Sequence, residues 1–169
     1  MMSNGFHAIS TEHVQENPFT LIGEEWMLIT AGTIDSWNTM TAAWGGLGYL
    51  WNRDVSYCFV RPNRYTYEFM EKADYYTLSF FDAEYKDALN YCGTHSGRDV
   101  DKAKETGLTP VSFAHQTVGF EQARLVLVCR KLYVDDIKPS NFIDETLDRL
   151  YPAKQYHRVY IGEIDQCLK

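Results

Sequence analysis

Six runs rich in aromatic and β-branched residues, joined by irregular polar stretches, constrain the fold of this chain more than any other feature. They occupy residues 26–30, 39–44, 55–60, 75–81, 124–134 and 156–164, and such residues fit the pleated, half-buried surface of a sheet. Helical patterns between them are short. Tyr85, Ala88, Leu89 and Cys92 follow i, i+3, i+4, i+7 spacing and predict a helix over about 83–93. Residues 62–73 combine a turn with Tyr65, Phe69 and Met70 at helical spacing. The polar stretch 99–106, stopped by Gly107, predicts a short exposed helix, and 141–150 another with Phe142 and Leu147 turned inward. Strands outnumber helices and lack regular crossover helices between them. The expected fold is therefore mainly β, an antiparallel barrel with helical insertions, rather than a doubly wound parallel sheet.

A chain of 169 residues without a repeat, low-complexity tract or Ser/Gly/Pro linker reads as one domain over 1–169. Aromatics reach 15%, which suits a β-rich core. The formal net charge of −7 disfavours nucleic acid as a partner, because polyphosphate binding rests on a surplus of Lys and Arg. No apolar run approaches the length of a membrane span. Met1 to His7 lacks the basic flank and apolar stretch of a leader, so a cytoplasmic protein is expected. Cys58, Cys92, Cys129 and Cys167 form no CxxC pair and read as reduced, buried thiols.

Sequences associated with nucleotide and hydrolase chemistry are missing. Gly45-Gly46-Leu47-Gly48 begins like a dinucleotide fingerprint, but its third small residue and following helix are absent. No P-loop, HExxH or GxSxG occurs. Cys92 and His95 lack a second ligand pair, so no metal site is expected.

Three polar clusters remain. Asn38-Thr39-Met40-Thr41-Ala42-Ala43-Trp44 fits either a polar turn entering a core strand or a wall for a flat heteroaromatic ring. In the second reading, amide and hydroxyl groups meet ring atoms while small residues permit close approach. Arg61-Pro62-Asn63-Arg64-Tyr65-Thr66 sets two guanidinium forks and a hydroxyl before a probable helix. It fits either one phosphate or a solvated turn. Gly93-Thr94-His95-Ser96-Gly97-Arg98-Asp99-Val100-Asp101-Lys102 fits either a helix cap with its loop or an anion-binding nest with an added cation.

Together, in this order, the three clusters resemble the flavin reductase-like family, and its flavoredoxin-type branch in particular. The ending from His157 to Ile164 is similar to that family's closing strand, and 121–129 to a middle one, so the resemblance runs from about 18 to 166. It implies an FMN-binding split β-barrel, usually a homodimer, with FMN held non-covalently near the subunit interface. On matching positions, Asn38, Met40, Thr41, Ala42 and Trp44 would line the isoalloxazine, with Thr39 in the same segment. Arg61, Arg64, Thr66, Ser96 and Lys102, with Gly97 between the last two, would serve the ribityl phosphate. The glycine-rich 45–48 stretch departs from the plainer strand of the family.

The implied activity moves electrons from NADH or NADPH through FMN to free flavin or a redox protein. His157 is either a contact for the nicotinamide or a hydrogen-bonded strand histidine. A flavoredoxin-type carrier reduced by a protein donor and a non-catalytic flavin- or heme-binding module are the alternatives. FMN is expected over FAD, because the cationic clusters suit one terminal phosphate and no adenosine diphosphate fingerprint is present.

Overall fold

The computed structural model describes residues 5–169; Met1 to Asn4, part of the start read above for a leader, lie outside the described residues. The chain folds around one antiparallel sheet. Its strands are β1 (Ala8–Ile9), β2 (Met27–Thr33), β3 (Ser36–Ala42), β4 (Gly45–Leu50), β5 (Arg53–Val60), β6 (Tyr75–Phe80), β9 (Leu125–Asp136) and β10 (Arg158–Leu168). A separate hairpin pairs β7 (Pro110–Ser112) with β8 (Val118–Phe120). The main sheet runs β3-β2-β6-β9-β10-β5-β4, with β1 added to β10. Its two outer strands, β3 and β4, are consecutive in the chain and separated only by Ala43 and Trp44.

Period-2 alternation builds two cores from this sheet. Met27, Ile29, Leu125, Leu127 and Cys129 join a cluster on one face with Met40, Met70, Tyr76 and Tyr160. Leu28, Val126 and Val128 join the other with Leu89, Cys92, Leu108 and Phe120. Sheet surface buried on both faces explains why 75–81 and 124–129 read as nearly continuous apolar runs. The four cysteines are free thiols and all are buried.

The helices are α1 (Pro18–Thr20), which runs into a π-helical turn at Leu21–Glu25, then α2 (Tyr65–Lys72), α3 (Lys86–Thr94) and α4 (Lys102–Thr106). Gly107 ends α4 in the left-handed conformation, with φ of 72°. None is long and apolar enough to cross a membrane.

Several expectations need correction. The 45–50 stretch is a strand, hidden by its glycines: the Tyr57 ring covers Gly46 and Gly48, so the neighbouring strand supplies the packing that their side chains would. Trp44 lies beyond the end of β3, and Tyr156 and His157 precede β10, which runs on to Leu168. Within 141–150 there is no α-helix. The chain forms a 3-10 turn at Pro139–Asn141 and another at Glu145–Leu150, and Leu147 points to solvent at 42% exposure. Six residues are too few to bury a full helical face against the sheet.

Candidate functional site

Three stretches far apart in sequence meet at the N-terminal end of α2. A pocket of about 310 Å³ there is lined by Asn38 and Met40 from β3, Arg61, Arg64 and Thr66 from the β5–α2 corner, and Ser96, Gly97 and Lys102 from the α3–α4 connection. The unpaired N–H groups of a helix start favour anions at the same end.

Asn38 ties the three together. Its buried side-chain amide donates to Thr66 Oγ1 at 2.8 Å and to the Thr39 carbonyl at 3.3 Å. Its Oδ1 presses against the loop, since a Cβ on Gly97 would stand 1.9 Å from it. Glycine is therefore required at 97 for this loop to lie against β3.

The cations make unusual partnerships for an acidic protein. Lys102, 6% exposed, donates from Nζ to the Thr39 carbonyl at 2.8 Å and the Cys92 carbonyl at 2.7 Å. Arg64 donates from Nη1 to the Gly93 carbonyl at 2.8 Å, and Arg61 from Nη2 to the Leu150 carbonyl at 3.2 Å. All three bond to backbone carbonyls, and among the described residues none pairs with a carboxylate. Burial pulls the Lys102 pKa down to about 8, opposed by Cys92 and aided to a lesser extent by Arg64. Burial and then Arg61 also lower that of Arg64. Gathering like charges in a half-buried place is unfavourable unless an anion joins them.

Other residues singled out in the sequence lie around this pocket rather than in it. The Thr39 hydroxyl is bonded to Thr30 Oγ1 at 2.8 Å in the core, leaving its carbonyl for Lys102. Thr41 donates to the Leu89 carbonyl and so anchors α3, while Ala42 is buried in the core cluster. Trp44, 46% exposed, rests against His157 with ring centroids 5.2 Å apart. His157 is buried, and its Nδ1 lies 2.8 Å from the Tyr151 hydroxyl. Burial, then Arg61 and Arg64, push its pKa down to about 4, so the ring is neutral at pH 7.

Sequence reasoning missed Tyr151 and the Leu150 carbonyl. Arg61 Cζ lies 5.3 Å from the Tyr151 ring centroid, so this loop residue joins the phosphate-type cluster to the Trp44–His157 wall. A tyrosine in an irregular stretch carries no periodic signal that could have marked it. His95 lines the pocket but is stacked on Tyr91 at 3.9 Å and bonded locally. No group of three metal-ligating side chains forms among the described residues. A larger cleft of about 620 Å³ runs along α2 past Lys72, Tyr75 and His115 and shares only Tyr65 with the three polar clusters. Size alone does not identify the site; the smaller pocket is where polar groups converge.

The arrangement fits a terminal phosphate. It offers three cations, a helix start and hydroxyls of Thr66 and Ser96 in one recess, beside an aromatic wall of Trp44 and His157.

Comparison with known proteins places the chain by family and fold. The model of the flavin reductase like domain matches residues 23–168. Among solved structures, the flavoredoxin of Desulfovibrio vulgaris (Miyazaki F) is 23% identical, with 84% of this chain and 67% of that chain covered and a TM-score of 0.65. An FMN-binding domain of a flavin reductases-like enzyme from Shewanella baltica is 15% identical, covering 99% and 78%, with a TM-score of 0.69. An NADH:FAD oxidoreductase from Streptomyces globisporus is 14% identical, covering 85% and 74%, with a TM-score of 0.63. No curated protein matches.

Proposed function

The chain belongs to the flavin reductase-like family, and from that premise we propose that it binds FMN and moves electrons through it from NADH or NADPH to an acceptor, free flavin or a redox protein. The observation that carries this reading is the trio Arg61, Arg64 and Lys102, each bonded among the described residues only to carbonyls, around a recess that admits a terminal phosphate.

When bound, FMN supplies hydride acceptance from the nicotinamide and onward electron transfer. The protein's own residues hold and orient. Arg61, Arg64 and Lys102, with Thr66 and Ser96, bind the phosphate, while Asn38 and Gly97 fix the distance between β3 and the α3–α4 loop. Met40 lines the pocket floor, and Trp44 and His157 border the flat ring. Thr39, Thr41 and Ala42 would support the site from the core, the first through the carbonyl that steadies Lys102 and the second through its bond to α3. A neutral His157 adds no charge beside the phosphate cations.

We read residues 1–169 as one flavin-binding domain acting as a homodimer. Supporting this, β4 is an outer strand, and Trp44, Tyr49 and Trp51 on and beside it are 46%, 70% and 52% exposed. An aromatic-rich edge of this kind suits a second copy.

A visible spectrum of freshly purified protein, with release and identification of the bound group, tests the cofactor. A Soret band would identify heme instead, and tighter binding of FAD than FMN in calorimetry would overturn the FMN assignment. Rapid NADH or NADPH oxidation with added FMN identifies a reductase. Slow oxidation, with rapid reduction by a protein donor, identifies a carrier.

A further inference from the structure

We propose that Tyr151 is a positioning residue of the flavin site, setting at once the place of the Arg61 guanidinium and the tautomer of His157. The FMN part of this inference rests on the functional reading above; the tautomer part does not.

Tyr151 sits in the 137–157 connection between β9 and β10 and is 4% exposed. Its ring packs on Tyr156 at 4.9 Å and on Phe142 at 6.2 Å. Asp148 closes the same loop by accepting from Tyr156 Oη at 2.5 Å and pairing with Lys154. The ring is thus held from behind, with one face and the hydroxyl left to act on the site.

The face lies under Arg61, and the residue just before it supplies the carbonyl that accepts from Arg61 Nη2. A guanidinium over an aromatic face and bonded at one edge has lost most of its freedom, and its remaining donors are ordered before any anion arrives.

The hydroxyl faces His157 Nδ1 at 2.8 Å, and the rings meet nearly edge-on at 79°. Two arrangements fit this distance. If Nδ1 carried the proton, the buried phenol hydrogen would have no acceptor among the described residues. If the phenol donates, both groups are satisfied. The second arrangement leaves the proton on Nε2, which has no protein partner among the described residues and is not sealed from solvent. His157 therefore presents a neutral N–H donor beside Trp44, with Phe59 closing the other side at 6.4 Å.

The test uses Tyr151→Phe and Tyr151→Leu in the full chain, with nitrogen-15 NMR of the histidine rings in flavin-free protein and fluorescence titration with FMN. In the wild type, His157 is expected to show a protonated Nε2 and a bare Nδ1 from pH 5.5 to 8. Tyr151→Phe keeps the ring under Arg61, so FMN affinity should stay within about twofold while the histidine signals move to a mixture of tautomers. Tyr151→Leu removes the ring as well and should weaken FMN about two- to fivefold further. A protonated Nδ1 in the wild type, or unchanged signals in Tyr151→Phe, overturns the tautomer role. Wild-type affinity in Tyr151→Leu overturns the Arg61 role. If Tyr151→Leu does not fold, Tyr151→Met takes its place in testing the Arg61 role, and wild-type affinity there overturns it. A wild type that binds no FMN would sink the flavin reading and leave the tautomer result standing.

Discussion

At the scale of single residues, the pocket's charge depends on pH through Lys102. Its pKa near 8 lies below the ordinary lysine value, so the flavin-free site loses a cation as pH rises past 8. FMN affinity should therefore fall between pH 7 and 9.5, by up to about tenfold per unit, and Lys102→Met should bind weakly with a flat profile. Arg64→Ala should cost about 1.5–3 kcal/mol of FMN binding, read by calorimetry, while its melting temperature stays close to wild type. His157 acts on stability in the acid range. Its folded pKa of about 4 lies below its unfolded value, so its neutral form is the one the fold favours; the contribution is complete above pH 6.5 and is lost as pH falls towards 4. His157→Gln should flatten the fall of melting temperature between pH 6.5 and 4.5, where one proton is worth at most about 1.4 kcal/mol per unit. The sequence made the arginines, Lys102 and Asn38 legible because their chemistry stands out in an acidic chain. It could not show that Thr39 and Thr41 turn their hydroxyls to Thr30 and Leu89, since both sides of a strand look alike until its neighbours are known.

Among the elements, α4 owes its start to Asp101, whose side chain accepts from the Lys104 amide at 3.1 Å. Asp101→Ala removes this cap and should cost about 1 kcal/mol in chemical denaturation. Because Lys102 is the next residue, FMN affinity should drop in the same variant. The Gly107 stop of α4 was legible because that cap is written locally, whereas the sequence pattern starts the helix at 99, ahead of its Asp101 cap, and does not show that Lys102 is buried. Strand β4 was not, as glycine has low strand propensity and the ring that completes its packing, Tyr57, belongs to another strand. The β4–β5 turn shows a similar conflict. Trp51 and Asn52 both adopt positive φ, 53° and 57°, where Asn-Gly would be the usual pair. An indole kept in that conformation, 52% exposed at the tip of an edge hairpin, is consistent with a role in covering a second copy.

For the whole molecule, that hairpin gives a direct test of assembly. Light scattering at micromolar protein should return twice the chain mass, and Trp51→Glu should move it toward a monomer with weaker FMN binding. The antiparallel order of the sheet was legible as a class, but not its path, because pairing partners lie far apart. Val60 stands opposite Arg158, and Arg158 opposite Asp136, so β10 closes the ladder between β5 and β9. That placement sets an order on the closing of the sheet. Until the eleven residues of β10 are in place, β5 and β9 each present an unpaired edge. Closure of the sheet therefore waits for β10, and a chain stopped before Arg158 would carry two open edges prone to pair with other chains.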